Sequence, residues 1–146
     1  MLRFSEESLV RYVTEVREFV KSLKPSTEFS IHIYPDFDLN PAYGNRLPVE
    51  YCGQTIAWFY KPFWSYGKVY DTCIKYKSAQ GKFFKYNKFV PFIGVYDKDK
   101  LKTPERLRTE IRIAGLAENG TIMLAFDKTF MKHPELVKIV AEEFKQ

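Results

Sequence analysis

From Ser5 to Lys24, apolar side chains recur at Leu9, Val13, Val16, Val20 and Leu23, with Tyr12 and Phe19 widening the stripe. That three-and-four spacing predicts an amphipathic helix laid on a sheet. Ser5 suits its N-cap, Glu6 and Glu7 the positive end of its dipole, Lys21 and Lys24 the negative end, and Pro25 stops it. Phe29, Ile31 and Ile33 then alternate with Ser30, His32 and Tyr34, a strand pattern, before Pro35 opens a loop through Asp38, Asn40, Pro41, Gly44 and Pro48.

Strand formers return from Val49 to Tyr60, with Gly53 marking a bulge or a close approach. Between Tyr66 and Lys77, Val69 and Tyr70 are followed four residues on by Cys73 and Ile74, which fits a short helix better than a strand. Phe89 to Tyr96 predicts another strand, placed at an edge or a bulge by Pro91, with Asp97 to Lys100 as its turn. Two patterns compete next. Thr103, Pro104 and Glu105 resemble a helix start, yet Leu107, Thr109, Ile111 and Ile113 alternate with Arg106, Arg108, Glu110 and Arg112, and the alternation predicts a strand. Asn119 and Gly120 make a hairpin-type turn into a strand from Thr121 to Phe126, and a helix beginning at Pro134 closes the chain, its face made by Leu136, Val137, Val140, Ala141 and Phe144. The elements together predict one α+β domain over residues 1–146, a mostly antiparallel sheet with N-terminal and C-terminal helices packed on it.

A chain of 146 residues that is 45% hydrophobic and 28% charged, with 7 Gly and 8 Pro, has the composition of a globular domain and excludes collagen-like and low-complexity classes. No stretch approaches a membrane span, and Glu6 and Glu7 stand where a signal peptide would be apolar, so the expectation is a cytoplasmic protein with no membrane contact. Cys52 and Cys73 are too few for a disulfide framework or a closed zinc site and read as small buried hydrophobes in a reducing compartment. The aromatic share of 17% is high for a single core of this size, so some rings are expected to line a pocket or an interface.

The net charge of +5 concentrates between Trp58 and Phe89, where Lys61, Lys68, Lys75, Lys77, Lys82, Lys85 and Lys88 face a single acid, Asp71. Aromatic residues are interleaved with these lysines. Lysines on phosphates and rings under bases hold single strands, so Lys75, Lys77, Lys82, Lys85 and Lys88 form a candidate nucleic-acid surface, although the absence of Arg takes away the planar fork such sites commonly use. Asp36, Asp38, Asp97 and Asp99 are the carboxylates available to a nuclease metal, but no Glu-x-Lys or Asp-x-Lys follows them in a strand, and no metal or cofactor is assigned. No histidine lies close in sequence to either cysteine, and the chain has no Gly-x-Ser-x-Gly elbow and no Gly-rich phosphate loop. The composition thus reads as a binding protein more than an enzyme.

Gly94, Val95, Tyr96 and Asp97, then Thr103, Pro104 and Glu105, then Arg108 leading into Glu110, Ile111 and Ile113, stand in a telling order. They resemble the central strand, Asp-containing turn, Pro-Glu turn and Arg-bearing strand of gyrase-inhibitor-like (GyrI-like) ligand-binding domains. Upstream, Thr55, Ile56 and Ala57 followed by Tyr66 and Gly67 are similar to that family's first strand, turn and helix, so the likeness covers about residues 55–113. It implies a cleft with aromatic walls, Trp58, Tyr60, Trp64, Tyr66 and Tyr96, and an internal charge, Glu110, suited to a small aromatic or cationic molecule or to a protein partner. The family pairs two such units. Here either the N-terminal helix and the strand at Phe29 to Tyr34 complete the second half, or two chains associate as a homodimer.

Overall fold

A computed structural model describes residues 2–33, 47–80, 88–96, 101–117, 121–125 and 127–145. Its elements are α1 (Leu2–Leu23), β1 (Ser30–Ile33), β2 (Tyr51–Ala57), α2 (Tyr66–Gln80), β3 (Lys88–Gly94), α3 (Pro104–Ala117), β4 (Met123–Ala125), α4 (Asp127–Lys132) and α5 (Pro134–Glu143). The strands hydrogen-bond in the order β1-β2-β3-β4. Pairing is parallel between β1 and β2, with Ser30 opposite Tyr51 and Ile33 opposite Gln54, and parallel again between β3 and β4, with Phe92 opposite Met123 and Gly94 opposite Ala125.

Parallel pairing corrects the expected antiparallel sheet. For β3 and β4 the cause lies in α3. Thr103 caps this helix, its hydroxyl accepting the Arg106 N–H at 3.2 Å, and Pro104 occupies the first turn, where a missing N–H costs nothing. Leu107, Glu110, Ile111 and Ala114 form the buried face, at helical spacing, so the alternation of Leu107, Thr109, Ile111 and Ile113 was coincidental and the predicted strand is a helix. A helix between β3 and β4 provides the crossover that parallel strands require, in place of a hairpin. The expected turn at Asn119 and Gly120 falls outside the described residues.

Burial along the strands agrees with this topology. β2 is buried from Cys52 to Ala57 and β3 from Phe89 to Gly94, the continuous pattern of strands covered on both faces. Pro91 therefore sits in a strand with neighbours on both sides, not at an edge, and precedes the first β4-paired residue, Phe92. Gly53 lies in unbroken register opposite His32, with no bulge. The helix expected from Ser5 starts earlier, at Leu2, which places Ser5 inside it. The helix expected over residues 66–77 is present as α2, capped by the Ser65 hydroxyl, which accepts the Lys68 N–H at 3.3 Å.

The chain divides into two compact units. The first comprises Met1–Gln54 and Tyr76–Phe89. In it, α1 is tied down by one carboxylate: Glu50 accepts from Arg17 and Lys21, each at 2.6 Å, and from the Phe29 backbone N–H at 2.9 Å. Cys52 is buried here, its thiol pushed up to about 12 by that burial against a weaker opposing bond from Gln54, which leaves it protonated and unreactive. The second unit comprises Thr55–Lys75 and Val90–Gln146. Its core holds Ile56, Val69, Cys73, Ile93, Val95, Leu107 and Leu136. α3 and α5 are cross-linked by Arg108 to Glu142 and by Arg112 to Glu143 at 2.8 Å. At the end of β3 the chain passes so close to Phe59 that a Cβ on Gly94 would stand 2.7 Å from the Phe59 Cβ, so only glycine fits.

Burial raises the Glu50 carboxyl, but the bonds from Arg17, Lys21 and Phe29 outweigh it and hold the group down to about 2. Because the folded value lies below the unfolded one, this stabilisation is complete above about pH 4.5 and fades as the pH falls towards 2. Glu50→Gln is expected to lower stability at neutral pH and to flatten the loss between those two values, as read by urea unfolding at a series of pH values.

Candidate functional site

The six aromatic-cleft candidates all lie in the second unit, and the fold connects them. β2 ends at Ala57, and the segment after it throws out Trp58, Phe59 and Tyr60 in succession. Trp58 lies nearly parallel to Trp64, with ring centroids 6.1 Å apart and an interplanar angle of 14°. Tyr60 meets Trp58 edge-on at 5.7 Å and Tyr96 at 5.2 Å. Phe59, buried under Gly94, supports both Trp58 and Tyr60 at 4.9 and 4.4 Å. Trp58, Tyr60 and Trp64 are half-buried, and Tyr66 and Tyr96 are exposed, so the run Tyr96–Tyr60–Trp58–Trp64 is a partly open band of rings on a buried Phe59 footing. Ring pairs at these separations contribute about 0.5–1.5 kcal/mol each beyond their buried area.

Glu110 has a different role from the one expected. It is completely buried on the inner face of α3. Lys102, equally buried, donates to its Oε2 at 2.7 Å, and Arg106, one turn earlier on the same helix, brings Nε to 3.0 Å from Oε1 without the alignment of a hydrogen bond. Burial pulls the Lys102 ammonium below its ordinary range, Glu110 pulls it back, and Arg106 adds to the lowering. A carboxylate held by two cations is not open to a positively charged ligand.

Arg106 joins this cluster to the rings. It donates to the Trp64 carbonyl and lies 4.7 Å from the Phe63 centroid and 5.1 Å from that of Tyr66. The Lys68 ammonium sits 4.1 Å over the Trp64 indole. Lys102, Arg106 and Phe63 were not singled out as site residues from the sequence. The four-residue spacing of Arg106 and Glu110 points to a pair only once the segment is known to be helical; Lys102 carries no signal of its own.

The candidate nucleic-acid lysines are more dispersed. Lys75 and Lys77 are exposed on α2, and Lys88 is exposed at the start of β3 with its ammonium 5.6 Å from the Tyr51 ring. Lys82 and Lys85 fall outside the described residues, as do Asp36, Asp38, Asp97 and Asp99. Of the rings interleaved with these lysines, Tyr76 and Phe89 are buried. Among the described residues no three His, Cys, Asp or Glu side chains gather as a metal site, and no helix is long and apolar enough to cross a membrane.

No protein-family model matches the chain, and no curated protein or solved structure matches it.

Lys102→Ala would leave the buried Glu110 carboxylate with Arg106, 3.0 Å from Oε1, as its remaining cation. Loss of one partner from a buried ion pair costs about 3–5 kcal/mol, and that loss is expected in chemical denaturation. Lys102→Met combined with Glu110→Leu should recover most of it, since Arg106 keeps the Trp64 carbonyl and reaches solvent.

Proposed function

We propose that the protein is a binding module whose working surface is the aromatic band Trp58, Tyr60, Trp64 and Tyr96, and that it takes flat aromatic small molecules by stacking. The observation that carries this reading is the near-parallel pair Trp58 and Trp64, continued by Tyr60 and Tyr96 and left half open to solvent. Rings that served only to fill a core would be buried, as Phe59 is. The resemblance to GyrI-like domains over residues 55–113 implies the same ligand class, but the Arg-bearing strand it includes at Arg108 to Ile113 is helix α3, so the rings carry the proposal. Its cationic side loses support, because Glu110 is already neutralised by Lys102 and Arg106. Lys68 over Trp64 instead favours neutral ligands or those with a negative substituent.

A nucleic-acid surface along the lysines is the competing reading, and it differs in salt dependence. Phosphate contacts weaken steeply as salt rises, whereas stacking on a ring band is nearly indifferent.

Both tryptophans of the chain lie in the band, so their emission reports on it directly. Titration with a panel of flat aromatic compounds is expected to quench that emission saturably at low and physiological salt alike, with Trp64→Ala weakening binding by about tenfold or more. Absence of quenching across the panel, or equal affinity in Trp64→Ala, would overturn the proposal. Tight, salt-sensitive binding of a labelled oligonucleotide that is lost in Lys75→Glu with Lys77→Glu would install the competing reading.

A further inference from the structure

The helix α1 does not bury its most apolar face. Its half-buried positions are Ser8, Val10, Val13, Thr14, Arg17, Val20 and Lys21, four of them polar, and Arg17 and Lys21 are fixed to Glu50. Leu9, Tyr12, Val16, Phe19 and Leu23 stand about a third of a turn round the helix and are exposed, Tyr12 by 64%, Phe19 by 66% and Leu23 by 73%. Their spacing of three, four, three and four residues is that of the seam between paired helices. A helix that needed only to cover a sheet would turn these five side chains inward.

Beside the seam lies a mostly apolar cavity of about 150 Å³, lined by Tyr12, Val13 and Val16 of α1 and by Phe29, Ser30, Ile31 and Val49. A cavity of that size accepts a benzene-sized ring. One surface thus carries a projecting aromatic ring, Phe19, and a hole walled in part by Tyr12 that fits such a ring, which is the self-complementarity of a twofold interface. The charges agree: α1 has four bases, Arg3, Arg11, Arg17 and Lys21, against four acids, Glu6, Glu7, Glu15 and Glu18, so in a chain of net charge +5 this helix neither repels a copy of itself nor attracts an anionic surface. Complete burial of the exposed parts of the five seam side chains, roughly 550 Å² per copy, sets an upper limit of about 1,100 Å² for a pair, just above the roughly 1,000 Å² a specific interface needs. A seam from Leu9 to Leu23 is about 21 Å long, too short to hold a coiled coil unaided, so the adjoining cavity matters.

We infer that α1 is a self-association surface: two copies of the chain pair their Leu9–Tyr12–Val16–Phe19–Leu23 seams about a twofold axis, with an aromatic side chain of each copy seated in the cavity of the other. The interface is distinct from the aromatic band and stands or falls independently of the ligand.

Sedimentation velocity on the full chain over a micromolar concentration series tests it. The wild type is expected to move from monomer to dimer, and Phe19→Glu to raise the dissociation constant by about a hundredfold or more, because each substitution acts twice across the axis. Glu18→Lys, on the polar side of the same helix, should leave the equilibrium in place. Since Phe19 is largely exposed, Phe19→Glu should retain the wild-type circular dichroism and melting profile; Leu23→Lys, more exposed still, gives the same reading if it does not. A wild type that stays monomeric throughout overturns the inference, whether or not it sediments with anionic vesicles. So does a dimer indifferent to both Phe19→Glu and Leu23→Lys, which would place the contact elsewhere.

Discussion

The second unit is organised around a fully buried carboxylate, that of Glu110. It is out of reach of water, and an ion in that position persists only if cations accompany it into the core. Lys102 enters on one side and Arg106 on the other. Arg106 carries more than charge: its guanidinium lies against Phe63 and Tyr66 and bonds to the Trp64 carbonyl. The constraint on Glu110 is thereby passed to the backbone that presents Trp64. Trp64 in turn lies along Trp58, and Trp58 and Tyr60 rest on Phe59, which only a glycine at position 94 leaves room for. From a buried acid on a helix to an open band of rings, each step is a contact between named groups.

Much of the helical structure was legible because it rests on local rules. The apolar spacing along α1, the four-residue echo of Val69 in Cys73, and Pro134 opening α5 each specify an element within a few residues. The sheet was misread where local rules conflict. At Thr103 to Ile113 a capping residue, a first-turn proline and a period of two compete, and the cap prevails because α3 can bury Leu107, Glu110, Ile111 and Ala114 together. That one reading decides the direction of β4 against β3, since a helix between them supplies the crossover of a parallel pair and a strand would not. The unbroken apolar runs of β2 and β3 were a sign of parallel, doubly covered strands, and Pro91 drew attention to an edge that β3 does not occupy.

The rings of the candidate site were legible as composition: more aromatics than one core hides, gathered between Trp58 and Tyr66. What could not be read was the state of the charge beside them. Glu110 appears in the sequence as a free acid between arginines. It is a partner to Lys102 and Arg106, which removes the free acid that a cationic ligand would need. Pairing of this kind depends on which residues share a helix face and on burial, neither of which a stretch misread as a strand reveals. In the first unit the amphipathicity of α1 was plain, but the rotation of the helix was not. Glu50 draws Arg17 and Lys21 inward and so turns the seam outward.

If the Glu110 cluster holds the ring band in place, loosening its link should free Trp64 without unfolding the protein. Acrylamide quenching of tryptophan emission in Arg106→Gln, compared with the wild type at equal far-ultraviolet circular dichroism, measures this directly. Greater quencher access in the variant is the expected result, because Trp64 loses the bond to its carbonyl and the packing of Phe63 and Tyr66 that Arg106 provides. Unchanged access in a folded variant would contradict it and leave the rings held by their own contacts alone.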